Sequence, residues 1–153
     1  MIATKKKAVR KAKKGESIRQ VAAIPFRLNA RGDVEVMLVT SRTTRRFIVP
    51  KGWPMKGKNA REAASIEARQ EAGVLGRPLR QPIGKFRYWK RIARRFVPVE
   101  VTVFLLEVEN EDADWKEAGM RERAWLSPDE AVTLIDEPEL VSLIQSLAAA
   151  PPA

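Results

Sequence analysis

The sequence predicts an α+β domain in which a mixed β-sheet is sandwiched between helices. Three observations carry that expectation. Strand-like segments rich in Val, Ile and Phe fill residues 19–50 and return at 85–109. One helix-patterned stretch, 60–72, interrupts them, and helical patterning comes back after residue 127. Helices placed in this way would cover the faces of a mixed sheet. A length of 153 residues, with 44% apolar and 31% charged side chains, suits one domain with a real hydrophobic core.

In chain order, the first feature is the basic run "KKKAVRKAKK". Residues 1–20 hold eight bases against one acid, Glu16, and so carry most of the formal charge of +10. Like charges repel, so residues 1–16 are expected to form a basic, disordered tail, with the folded domain over 17–149. The alternative for the tail is electrostatic attachment to nucleic acid or another polyanion, without sequence preference because the run has no aromatic residue to stack on a base. Residues 19–28 read as a strand, "NARGD" as a turn and 34–40 as a second strand, together a hairpin. "FIVPK" is a short third strand. A loop with Gly52 and Gly57 leads into the helix at 60–72, with Asn59 as cap, Glu62 in the capping-box position and Gly73 at the end. "KFRYWKRI" and "FVPVEVTVFLLEVE" are two strands around a basic corner, Arg94-Arg95, and "RAWL" is one more. Ser127, Pro128 and Glu130 open a further helix. "EPELVSLIQSLAAA" continues as helix until "PPA". Phe104 and Trp125 are expected in the core. There is no internal repeat.

Composition also excludes chemistries. With no cysteine and no histidine there is no disulfide, no thiolate or imidazole metal site, and no Cys- or His-based triad. Acid–base and metal chemistry fall to Asp, Glu, Lys and Tyr. No apolar run reaches the ~20 residues of a membrane helix, and a cytoplasmic protein without a membrane partner is the expectation. The oligomeric state is not legible.

The helix at 60–72 carries the candidate chemistry. At about 100° per residue, Ala60, Ala63, Ala64, Glu67 and Glu71 share one face, with Gln70 at its edge. Alanines allow close approach to a sheet, so two carboxylates one turn apart emerge at the rim of the packed surface. An i, i+4 pair is commonly a solvated face. This one is like-charged, which costs an isolated helix roughly 0.2–0.5 kcal/mol, and burial would add to that unless a cation bound. Arg69 lies on the far side of the helix. Two hard oxygen ligands on adjacent turns suit Mg²⁺ or Mn²⁺.

The stretch from Gly52 to Val74 resembles the Nudix box, G-x5-E-x7-R-E-U-x-E-E-x-G-U, where U is a bulky aliphatic residue. Gly52, Glu67, Glu71 and Gly73 fall on its glycines and glutamates. Lys58, Ile66 and Gln70 stand where the box has Glu, Arg and Glu, and Ala68 is smaller than the usual aliphatic. The flanks "VMLVTSRTTRRFIVPKGWP" and "ADWKEAGMRERAWLSPDEAVTLI" are similar to the diphosphoinositol polyphosphate phosphohydrolase subgroup, so the resemblance covers nearly all of 17–140. It implies the Nudix fold, an α/β/α sandwich, and Mg²⁺-assisted hydrolysis of a phosphoanhydride.

By that resemblance Glu67 and Glu71 are the catalytic carboxylates and metal ligands. Gln70 is a weaker, uncharged ligand, and a backbone carbonyl at Lys51 or Gly52 is a further one. Glu100, the one acid in its apolar strand stretch, is a candidate carboxylate from the sheet. Lys58 and Ile66 together remove a charge pair, which leaves neither charge unpartnered. Gln70 removes a negative ligand and is expected to weaken metal affinity. Phosphate oxygens would be met by Ser41, Arg42, Arg45 and Arg46 from "SRTTRR", by Lys51, Lys56 and Lys58 from the box loop, and by Arg121 and Arg123 from "RERAW". Trp53 and Tyr88 are placed to line the pocket or stack on a base. The expected substrate is a small polyphosphate, a diphosphoinositol polyphosphate or a dinucleoside polyphosphate. The alternatives are a catalytically weak Nudix-fold protein that binds polyphosphate or nucleic acid, and an RNA 5′-end pyrophosphohydrolase.

Overall fold

A computed structural model describes residues 2–14 and 16–149. Eight strands form one mixed sheet with core order β3-β2-β1-β7-β5. β1 (Ile18–Leu28) and β7 (Arg95–Glu111) run parallel along its middle, in register from Ile18↔Val99 to Phe26↔Glu107. β2 (Val34–Thr40) pairs antiparallel with β1, the hairpin read from "NARGD". The stretch "FIVPK" splits into β3 (Phe47–Ile48), which pairs with β2, and β4 (Lys51–Gly52), which pairs with β1. β6 (Gly84–Ile92) pairs with the first half of β7 and β5 (Val74–Pro78) with its second half. β8 (Arg123–Leu126) closes on β2. Strand β5 is not legible in the sequence, since Gly76 and Pro78 break its pattern, and neither is the parallel pairing.

Strand alternation sorts the two cores. On β7, Val97, Val99, Val101, Val103 and Leu105 face one side, with Ala131, Leu140, Ile144 and Leu147 of the C-terminal helices α3 (Pro128–Val132) and α4 (Pro138–Ala149). Phe104 and Leu106 face the other side, where Ala63, Ala64, Ala68 and Ala72 of α2 (Ala60–Ala72) bring the helix close to Val21 and Ala23. The α/β/α sandwich expected from the sequence is the one found. Ala60, placed on the packed face by helical geometry, is exposed in the first turn, ahead of the contact with the sheet.

The cap residues are those read from the sequence, but of the two expected capping boxes only the one at Ser127 closes. The Asn59 side chain accepts from the Glu62 backbone N–H (2.8 Å), and Gly73 ends α2 at φ 67°, a left-handed position that favours glycine. Ser127 and Glu130 form a reciprocal capping box. Trp125 is half-buried against the α2-side core, with Arg27 over its ring at 4.2 Å.

The tail is a correction. Where disorder was expected, α1 (Ile2–Lys13) is helical, and Ala8 docks against the Ile18 side of the sheet with Val9 beside it. Like-charge repulsion is relieved because apolar residues at 8 and 9 give the basic helix a face to bury. The closing "PPA" lies outside the described residues. Among the described residues no helix is long and apolar enough to cross a membrane.

Candidate active site

Helix α2, the β4 loop and the loop before β8 converge on one cavity of about 440 Å³. Glu67 and Glu71 are on the buried face of α2, only 4% and 6% exposed. The sequence placed them at a rim, but the alanine face draws them under the β4 loop. Burial, then the charge of Glu71 and a hydrogen bond with it, then Glu117, push Glu67 up to about 8. Burial also raises Glu71, opposed chiefly by Arg121. For Glu67 the opposing influence of a cation is weak and comes from Lys116.

Two features hold this pair in place. The Lys51 backbone N–H donates to Glu71 Oε1 (3.2 Å). A Cβ at Gly52 would stand 2.3 Å from the Glu67 carboxyl, so a glycine is what gives that carboxyl its room. Arg121 crosses above them, with Nη2 3.7 Å from Glu71 Oε2, but its short bonds go elsewhere: Nε to Glu117 Oε1 (2.9 Å) and Nη1 to the Thr40 carbonyl (3.0 Å). The carboxyl pair is thus only partly neutralised.

Of the residues singled out in the sequence, Ser41, Arg42, Lys51, Gly52, Glu67, Gln70, Glu71 and Arg121 all line this cavity, with Trp53 and Tyr88. Arg42 also reaches Glu117 (3.9 Å), and the Ser41 and Thr44 hydroxyls bond to each other. The Lys51 ammonium lies 5.1 Å from the centroid of the Tyr88 ring, and burial lowers its pKa to about 8 while Glu71 opposes the shift. Tyr88 donates its hydroxyl to Gln20 Oε1 (2.6 Å), and burial raises its pKa.

Six expectations are corrected. Glu100 points from β7 toward Lys85 (3.3 Å) and Arg87 (3.8 Å) and does not line the cavity, because the sheet carries it past the α2 contact. Arg46 turns to Asp136 (3.4 Å) and Glu137 (3.0 Å) ahead of α4. Arg45 is an exposed turn residue at φ 62°. Lys56 lines a separate cleft beside α1, and Lys58 is exposed next to the Asn59 cap. Arg123 lies under the C-terminal end of α2, donating to the Ala72 and Asp112 carbonyls (2.8 Å each) and stacking on Trp115 at 4.0 Å.

Sequence reasoning missed Gln20, Lys90, Lys116 and Glu117. Glu117 had a signal, since it precedes Arg121 by four residues and its side chain is nearly buried by that ion pair. Gln20 and Lys90 had none, because strand pairing alone brings them to the cavity.

The donor set fits a hard divalent cation. Two buried carboxyl groups of like charge, raised in pKa and facing a polar cavity, gain most from one, and the Gln70 amide oxygen lines the same cavity. Among the described residues no third acid joins the pair as a metal cluster, so water or substrate oxygens would complete the coordination.

The chain is similar to known proteins in sequence and in fold. The NUDIX domain family model matches residues 18–147. Among curated relatives, Nudix hydrolase 4 of Arabidopsis thaliana is 36% identical over 98 residues, which cover 64% of this chain and 46% of that protein. Mitochondrial Nudix hydrolase 18 of the same plant is 33% identical over 117 residues, covering 72% and 65%. The chain thus spans about half to two thirds of the length of these relatives. The crystal structure of the C. elegans Ap4A hydrolase superposes with a TM-score of 0.62 at 18% identity, over 87% of this chain and 97% of that one, a likeness of fold.

Proposed function

As the chain belongs to the NUDIX domain family, we propose that it is a Mg²⁺- or Mn²⁺-dependent pyrophosphohydrolase that cleaves a phosphoanhydride bond in a small polyphosphate, a dinucleoside polyphosphate or a diphosphoinositol polyphosphate. The observation that carries this reading is the buried, under-compensated pair Glu67–Glu71 facing a cavity whose lining also holds Arg42, Lys51, Lys90, Lys116 and Arg121. Glu67, Glu71 and the Gln70 amide oxygen would hold the cation, which neutralises phosphate charge and acidifies water. Arg42, Lys51, Lys90 and Lys116 stand around the same cavity and draw in the polyphosphate. Arg121 holds Glu117 and the Thr40 carbonyl, so it fixes the wall opposite α2. In this reading Glu117 is the carboxylate to which an attacking water is oriented. Gln70 lowers the negative charge of the site, and Gln70→Glu is expected to raise cation affinity. The aromatic Trp53 and Tyr88 favour a substrate with a nucleoside.

The test is phosphate release from diadenosine polyphosphates, diphosphoinositol polyphosphates, ADP-ribose, nucleoside triphosphates and triphosphorylated RNA, with Mg²⁺ or Mn²⁺ and with chelator. Turnover of one of the first two classes, abolished by chelator, is expected. Silence across the panel, in the Gln70→Glu variant as well, would leave a binding protein that shares the fold.

A further inference from the structure

The most exposed large apolar side chains among the described residues are not near the cavity. Trp89 and Phe96 are 68% and 69% exposed, on the hairpin of β6 and β7. Register puts them on one face. Trp89 lies opposite Pro98 and Phe96 opposite Arg91, so the two rings are diagonal neighbours about 7–8 Å apart at the backbone. Bases interleave with them: Arg87, Trp89 and Arg91 alternate with buried or half-buried residues along β6, and Lys85 continues the row. The one acid of this face, Glu100, is shared between Lys85 and Arg87. Arg19 of β1 lies in register beside it, exposed.

The tip of the hairpin is strained. The two-residue connection between Ile92 and Arg95 puts Ala93 and Arg94 at φ 50° and 66°, where Asn-Gly is the usual solution. The turn thus keeps a bulky, charged residue at a position that disfavours it, and Arg94 is exposed at the tip next to the end of the basic row.

We propose that this outer face of the β6–β7 hairpin binds single-stranded nucleic acid, with bases stacking on Trp89 and Phe96 and phosphates meeting Arg87, Arg91 and Arg94. Rings spaced across two strands let two bases lie each on its own aromatic, and stacking of this kind is tolerant of sequence. Charge argues against the other occupants. A second copy of the chain would set like-charged rows against each other in a two-fold interface. The bases Lys85, Arg87 and Arg91 line up beside the rings on one face, the charge pattern that a polyanion complements. The face is distinct from the hydrolytic cavity, and the inference stands whether or not that cavity turns over a polyphosphate.

The experiment is anisotropy of fluorescein-labelled 12-mers of uridylate and of thymidylate with the full chain, across a salt series, with sedimentation to report association state. Trp89→Ala and Phe96→Ala keep every charge, and each is expected to weaken binding roughly 5- to 100-fold. Arg87→Gln with Arg91→Gln should reduce the slope of log K against log salt by about 0.7 for each phosphate that is no longer neutralised. Polyphosphate hydrolysis should be unchanged in all of these variants. The proposal is overturned if the native chain does not bind either oligomer at ~100 mM salt. It is equally overturned if the aromatic variants bind as tightly as the native chain, because attachment would then be through α1. A native dimer dissociated by Trp89→Ala would assign the face to self-association instead.

Discussion

The C-terminal half of α2 meets a half-buried arginine and a buried carboxyl pair only a turn or two apart, and they are treated in opposite ways. Arg123, beneath the helix end, has its own partners: it donates to the Ala72 and Asp112 carbonyls and stacks on Trp115, whose indole in turn donates to the Glu71 carbonyl (3.0 Å). Glu67 and Glu71 are withdrawn further from water and face each other, with one loose arginine contact between them. A buried charge that closes its own hydrogen bonds stabilises a fold. A buried charge left short of partners costs stability and is retained for a ligand of opposite sign. The comparison separates the two kinds of arginine as well, since Arg123 serves the helix end and Arg121 faces the cavity.

The largest effect that could break this division is on turnover. Glu71→Gln keeps shape and hydrogen bonding but removes charge from the proposed cation site, and kcat/KM should fall about 100-fold or more, several kcal/mol of transition-state stabilisation. Above pH 8, where Glu67 is ionised as well, melting of the chelator-treated variant should be no lower than that of the native chain, because a like-charge contact is relieved. A variant that melts well below the native protein and keeps its turnover would place Glu71 with Arg123, among the structural charges.

Gly52→Ala sharpens the same point without touching a charge. The new Cβ meets the far end of the Glu67 side chain, which can swing aside, so stability should change by under about 1 kcal/mol while turnover falls at least about 10-fold. Conversely, Arg123→Ala strips donors from carbonyls at the end of α2 and should cost about 2–3 kcal/mol in urea unfolding. Below its melting temperature that variant should hydrolyse substrate within a few-fold of native. If it loses turnover as far as Glu71→Gln does, the separation between structural and functional charge fails.

The sequence shows only part of this division. Periodicity and caps announce α2, and its alanines announce which side packs, because those signals are local. The like-charged pair could be read for the same reason, as i, i+4 spacing on one helix fixes mutual position whatever the rest of the chain does. Arg121 and Arg123 are indistinguishable in "RERAW", since two residues apart on one strand would share a face, whereas β8 begins only at Arg123 and leaves Arg121 in the preceding loop. Only the pairing of β8 with β2 sends Arg123 to the helix end. Glu100 failed for the matching reason. Its strand alternation was legible, but the distance along the sheet from α2 depends on the register of β1 with β7, which no local pattern encodes.

The smallest effect, and the one that reads the pair directly, is the pH dependence of stability in chelator-treated protein. Glu67 has its pKa raised in the folded state to about 8, so the folded chain holds a proton that the unfolded chain releases near 4.5. Its contribution is therefore fully present below pH ~4.5 and is lost as pH rises through ~8. Lys51 has the opposite consequence in a different window. Its folded pKa is lowered from 10.5 to about 8, so the unfolded chain binds the extra proton between those values and stability recovers as pH climbs from ~8 to ~10.5. The two together predict a minimum in the metal-free melting temperature near pH 8. Glu67→Gln should make the falling limb shallower, leaving the part that the raised Glu71 contributes, and leave the rising one. Saturating Mg²⁺ should lift the trough most at pH 8 and least at pH 5, where protons compete for the same carboxyl oxygens. A flat profile between pH 5 and 8 that Mg²⁺ does not move would mean that the carboxyl pair is already satisfied within the fold, and would put it with Arg123.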